Sequence, residues 1–119
     1  MNERVAYLRN LVLALRCDGR VSVGEREVLE RVASELLASS DELQAAFNVF
    51  AQVAPEWSEI PRFSMRLRNL EDMAEVCLCD GELSAEERKL LTLAAFALGL
   101  SQEQANQVLR EVAQRLGMV

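Results

Sequence analysis

Apolar residues recur at helical spacing along most of the chain. Val5, Leu8, Val12 and Leu15 fall three and four apart, which predicts a first helix over about residues 3–16. Asp18-Gly19 stops it, because glycine tolerates the left-handed backbone that ends helices. Ser22 with Glu25 three residues on reads as a capping box. In it the serine oxygen accepts from the third helical N–H and the glutamate reaches back to the serine N–H. Val28, Leu29, Val32, Leu36 and Leu37 give the second helix its apolar stripe. Ser39 with Glu42 opens a third helix, through Phe47 and Phe50 to about Val53.

Pro55 interrupts the pattern. Ser58 is expected to cap a fourth helix, with Pro61 in its first turn. Its stripe is Phe63, Leu67, Leu70, Met73, Ala74 and Cys77, and Asp80-Gly81 ends it. Ser84 with Glu87 opens a fifth helix carrying Leu90, Leu91, Ala94, Ala95 and Leu98, which Gly99 ends. Ser101 with Gln104 opens a sixth, striped by Ala105, Val108, Leu109, Val112, Ala113 and Leu116.

The order of these signals repeats. Cys17-Asp-Gly-Arg-Val-Ser-Val-Gly-Glu25-Arg26 aligns without a gap on Cys79-Asp-Gly-Glu-Leu-Ser-Ala-Glu-Glu87-Arg88. The same register pairs Leu29 with Leu91, Ala33 with Ala95, Leu36 with Leu98 and Ser39 with Ser101. The expected fold is therefore all-α. It has about six helices in two three-helix repeats, packed as one pseudo-two-fold bundle. The 119 residues suit a single domain: repeat one at about 3–53, a linker at about 54–58 and repeat two at about 59–117.

Composition narrows the function. Half the chain is apolar, aromatics are few, and the net charge is −6. Such a surface repels nucleic acid and anionic lipid, and favours cations or basic protein patches. The longest apolar run, Leu90 to Leu100, is too short for a membrane span. The opening Met1-Asn2-Glu3-Arg4 has no export-signal pattern, and with three cysteines this points to reduced thiols and a cytoplasmic location. There is no histidine. That removes the usual acid–base group at neutral pH and the commonest zinc ligand. With no phosphate loop and no nucleophile–base pair either, enzymatic activity is not expected.

The motif Asp-Gly-x-aliphatic-Ser-x-x-Glu invites a calcium-loop reading. Aligned on such a loop, Asp18, Gly19, Ser22 and Glu25 take positions 5, 6, 9 and 12. The first two ligand positions then fall on Ala14 and Arg16, or on Val76 and Leu78 in the second copy. None of these side chains supplies a calcium oxygen, so the loop fails on its own template.

The arrangement instead resembles the tellurite-resistance TerB-like family, small bacterial helical domains of two related halves. The residues that carry the resemblance are Asp18, Gly19, Val21, Ser22 and Glu25, then Asp80, Gly81, Leu83, Ser84, Glu86 and Glu87, with the trailing Leu98-Gly99-Leu100-Ser101. Two positions depart from the family pattern. Cys replaces its usual Ala in both copies, and Gly24 replaces the first Glu of the pair in copy one. The resemblance implies a cytoplasmic protein linked to tellurite and other stress resistance, a divalent-metal role for the shared acids, and no catalysis. It also implies kinship with domains that accompany J-domains in co-chaperones.

The candidate metal ligands are accordingly Asp80, Glu82, Glu86, Glu87, Asp18 and Glu25. An all-carboxylate set suits Ca²⁺, Mg²⁺ or Mn²⁺. The second copy is favoured, because Glu71, Asp72 and Glu75 stand on its preceding helix. Arg16, Arg20 and Arg26 crowd the first copy. The same residues also have structural tasks. Asp before Gly bonds turn backbone, and each capping glutamate holds a helix start worth about 0.5–2 kcal/mol. Two readings stay open: a stress-associated binding module with a weak divalent-cation site, and a metal-free helical protein–protein module. A protein partner is expected in both, with a homodimer as one form of it. Cys77 and Cys79 read as core, Arg62, Arg66 and Arg68 as a solvated or partner-docking strip, and Trp57 as a plug between the repeats.

Overall fold

Helix starts dominate the architecture of the computed structural model, which describes residues 2–15, 21–48, 56–79 and 84–117. Six helices appear among them, and no strand: α1 (Glu3–Ala14), α2 (Val23–Glu35), α3 (Ser40–Phe47), α4 (Phe63–Leu78), α5 (Ala85–Ala97) and α6 (Gln102–Arg115). All four capping boxes form. In each, the serine Oγ accepts from the backbone N–H of Glu25, Glu42, Glu87 or Gln104, and that side chain accepts from the serine N–H. Asn2 caps α1 by accepting from the Val5 N–H. The Asp18-Gly19 and Asp80-Gly81 stops, and the extension of α3 towards Val53, lie outside the described residues.

Two helices form the centre. α1 packs against α3 and α4, while α4 packs against α6, α1, α2 and α5. Both are buried on more than one face: Tyr7, Leu8 and every residue from Asn10 to Leu15 in or just after α1, and Asn69, Leu70 and Asp72 to Leu78 in α4. α2, α5 and α6 instead bury single stripes, such as Leu29, Val32 and Ala33 on α2, or Ala105, Val108, Leu109 and Val112 on α6. None of the described helices is long and apolar enough to cross a membrane.

The fourth helix starts later than the serine pattern predicts. Ser58 caps nothing: residues 56–61 are not helical, and α4 begins after Arg62, which makes no side-chain cap bond. Ser58 is held by α1 instead. Its N–H donates to Asn10 Oδ1 (2.8 Å), its carbonyl accepts from Asn10 Nδ2 (3.0 Å), and its hydroxyl accepts from Arg9 (2.9 Å). A long-range partner has outbid a local cap. Phe63, expected in the α4 stripe, is consequently exposed at the helix start.

α2 and α5 end alike. After α5, Gly99 donates to Phe96 O and Leu100 donates to Ala95 O; after α2, Leu37 donates to Ser34 O and Ala38 to Ala33 O. Both are Schellman turns, which put the residue after the cap in the left-handed region. Gly99 sits there at φ 79 and Leu37 at φ 59. Glycine enters that region freely, whereas an L side chain costs roughly 1–2 kcal/mol. Leu37, expected in the core, is instead thrown into solvent, 87% exposed. Leu116 is likewise exposed beyond the end of α6.

Candidate functional site

Of the six candidate ligands, three are described. Glu25 and Glu87 are buried at the first turns of α2 and α5, and each spends Oε1 on its box, accepting from Ser22 N–H at 2.7 Å and Ser84 N–H at 3.0 Å. Neither box uses Oε2. Glu86 is exposed beside Glu87. Asp18, Asp80 and Glu82 lie outside the described residues.

Gly24 and Cys79, one described residue from each motif, approach each other in space. A Cβ built on Gly24, at the start of α2, would stand 3.7 Å from Cys79 Sγ, at the end of α4. The helix opened by the first motif thus abuts the residue from which the second begins. Cys79 is half-buried there. Cys77, two residues back, is fully buried with its Sγ 3.8 Å from the Ala14 carbonyl, which makes it a core residue.

The acids on α4 are not gathered around an open site. Glu75 is buried between two guanidinium groups, Arg31 of α2 at 2.6 Å and Arg115 of α6 at 3.1 Å. Asp72 accepts from the Tyr7 hydroxyl at 2.5 Å, with Arg68 at 3.9 Å. Burial pushes the Asp72 carboxyl up from its ordinary value, against the opposing pull of Tyr7 and then Arg68. Burial first, and Asp72 second, push the Tyr7 phenol up as well. Next to this pair, Asn10 Nδ2 donates to Asn69 Oδ1 (2.9 Å), and Asn69 Nδ2 donates to the Tyr7 carbonyl (3.1 Å). Buried polar groups need partners. These side chains satisfy one another across the α1–α4 interface.

Sequence reasoning missed these relations. Arg31 and Arg115 sit on helices distant in sequence from Glu75, so charge spacing within α4 could not reveal them. Asn10 left a weak signal, as a polar residue directly before the apolar run 11–15, and Asn69, flanked by Arg68 and followed by Leu70-Glu71-Asp72, left none.

The basic strip at the start of α4 is tied down within the chain. Arg62 faces Glu3 at 3.5 Å, Arg66 donates to the Ile60 carbonyl at 2.6 Å, and Arg68 reaches Glu35 at 3.3 Å. Arg26 pairs with Glu30 and lies over the Phe47 ring, 5.3 Å from its centre. Trp57 is partly buried and packs on the core. A cleft of about 440 Å³ opens between the start of α1, residues 59–61 and the end of α5, with Glu3, Glu59 and Arg66 among its walls.

Among the described residues, no three or more of Asp, Glu and Cys converge as metal ligands. By type, the two spare glutamate oxygens fit a hard, oxygen-seeking cation. By number they fall short, so any such cation would need the loop acids as well.

Comparison with curated proteins and with solved structures returned no match. The family model for tellurite resistance protein TerB does match, over residues 4–111. That span runs from the first turn of α1 into α6 and includes both Asp-Gly motifs and all four capping boxes. The chain therefore belongs to the TerB family.

Proposed function

We propose that the chain is a non-catalytic, cytoplasmic binding module associated with resistance to tellurite and related stresses. Its two Asp-Gly motifs work jointly on one weakly held divalent cation, Ca²⁺, Mg²⁺ or Mn²⁺. The observation that carries this reading is the approach of Gly24 to Cys79, which sets the end of one motif against the start of the other. Two capping glutamates with an uncommitted oxygen each support it.

The hydrogen bonds between α1 and α4 support a pseudo-two-fold relation of two repeats. The offset that carries Cys17 to Cys79 also carries Tyr7 to Asn69 and Asn10 to Asp72. Exchanging the repeats turns the Tyr7–Asp72 bond into the Asn69–Asn10 bond. Under such an axis both motifs belong to one end of the bundle, and one cation can serve both.

A specific observation favours the metal-free module as the second reading. Arg31 and Arg115 already neutralise Glu75, and the boxes already give Glu25 and Glu87 a structural task. Titration calorimetry separates the two. Ca²⁺, Mg²⁺ or Mn²⁺ is expected to give heat with a dissociation constant on the order of 10⁻⁴–10⁻³ M, weakened about tenfold or more in Asp80→Asn. No heat from any of the three would leave the metal-free module standing.

A further inference from the structure

Two small side chains stand where the other half of the chain has an ion pair. At the offset that carries Cys17 to Cys79, Arg68 and Glu35 correspond to Ala6 and Ala97. Arg68 and Glu35 pair at 3.3 Å and bridge α4 to α2. Ala6 and Ala97 can form no such bridge, and the cleft of about 440 Å³ opens between α1 and α5 with both of them in its lining.

The same offset deprives the arginine of this cleft of its acid. Arg4 pairs with Glu42 at 2.9 Å. Their counterparts are Arg66 and Gln104, and glutamine carries no charge. Arg66 donates instead to two carbonyls, from Nε to Ile60 at 2.6 Å and from Nη2 to Pro61 at 3.5 Å. Its Nη1 stands at the Gly99 wall, 3.6 Å from where a Cβ on that residue would be. There it has no hydrogen-bond partner and no carboxylate among the described residues. Glu59, also in the lining, is exposed and has no partner among the described residues either. Glu3, the other acid of the lining, is engaged by Arg62. Buried Ala6, Ile60 and Leu98 supply apolar wall.

We propose that this cleft binds a small aliphatic zwitterion, a free amino acid or dipeptide, with its carboxylate on Arg66 and its ammonium on Glu59. Charge selects the class. A simple anion would meet Glu59, and a simple cation would meet Arg66. A molecule with both charges gives each uncommitted group its opposite, and a guanidinium takes a carboxylate through directed N–H bonds. The volume and the lining, apolar walls with a few placed polar groups, are those of a small-molecule site.

Titration of the full chain, followed by NMR chemical shifts and without divalent cation, tests this apart from the cation site. The probes are leucine and leucyl-leucine, with N-acetyl-leucine lacking the ammonium and leucinamide lacking the carboxylate. At least one of the two zwitterions is expected to bind with a dissociation constant of about 1 mM or below, and the tighter one tells amino acid from dipeptide. Blocking either end should weaken binding about tenfold or more. Glu59→Gln should weaken the zwitterion about tenfold and leave N-acetyl-leucine unchanged. Ala97→Glu, which supplies the acid that Glu35 supplies at the other junction, should compete for Arg66, fill the cleft and weaken binding as much. Both substitutions are at exposed positions, so melting temperatures near that of the wild type separate lost binding from lost fold. Neither zwitterion binding at up to about 50 mM would overturn the proposal, as would a blocked form that binds as tightly or binding unchanged in either variant.

Discussion

Asn10→Ala is expected to cost about 3–4 kcal/mol of stability, the largest loss from any single truncation of a polar side chain here. Asn10 is fully buried. Its amide nitrogen serves the Ser58 carbonyl and Asn69 Oδ1, and its oxygen serves the Ser58 N–H. Alanine deprives all three of a partner and leaves a void between α1 and α4. Each buried polar group without a partner costs about 1–3 kcal/mol, and the void adds to that. The segment before α4 would be loosened too, because it would lose the Asn10 bonds and keep those of Arg9 to the Glu56 carbonyl and the Ser58 hydroxyl. Denaturant melts measure the loss directly, and a double-mutant cycle with Asn69→Ala should show strong coupling across the pair. A loss below about 1 kcal/mol would mean that the α1–α4 network is dispensable.

Tyr7→Phe is expected to cost about 1.5–3 kcal/mol near neutral pH, and less in acid. The phenol donates to a buried carboxylate at 2.5 Å, and without it Asp72 is left to the weaker pull of Arg68 at 3.9 Å and of Arg31. The pH dependence follows from the direction of the Asp72 shift. Burial raises its folded pKa above the unfolded value. Folding therefore favours the protonated form, and the contribution is fully favourable below the unfolded pKa. It is lost as pH rises through the higher, folded value. Removing the hydroxyl removes a pull towards ionisation and raises the folded pKa further. The gap between variant and wild type is thus widest above both values and narrows below them, where Asp72 is neutral in every state. Melts at about pH 3 and about pH 7 read the difference. A gap that stays constant, or widens in acid, would contradict the assignment of Asp72 as the group left exposed by the change.

Helix identity and the four box starts were legible in the sequence because they are local. Ser22 and Glu25 are three residues apart and settle their bonds between themselves, as do the other three boxes. Most of what failed was settled at long range. Ser58 looked like a cap until α1 claimed its backbone. Leu37 looked like core because the stripe of α2 reached it, but the Schellman turn rotates it outward. Glu75 looked like part of an acidic face beside the second motif, and it is buried against arginines from two other helices. Of the candidate site, the glutamates were placed correctly as helix starts. Periodicity carried no information that Gly24 and Cys79 would meet, since that depends on how α2 crosses α4.

The boxes also supply a way to separate structure from binding. The fourth box uses Gln104 where the others use glutamate, and it closes with the same geometry, accepting from Ser101 N–H at 2.8 Å. Glutamine therefore caps as well as glutamate and brings no charge. Glu25→Gln combined with Glu87→Gln should leave the melting temperature without cation within the shift that about 0.5 kcal/mol produces. Binding to the folded state raises the melting temperature by mass action. Thermal melts of the wild type and of this double variant, with and without millimolar Ca²⁺, Mg²⁺ or Mn²⁺, are the direct test of the paired motifs as a cation site. A cation-induced rise in the wild type that shrinks in the double variant, from an unchanged starting point, is the expected result. No rise in the wild type with any of the three ions, or an equal rise in both proteins, would reduce Glu25 and Glu87 to helix caps alone.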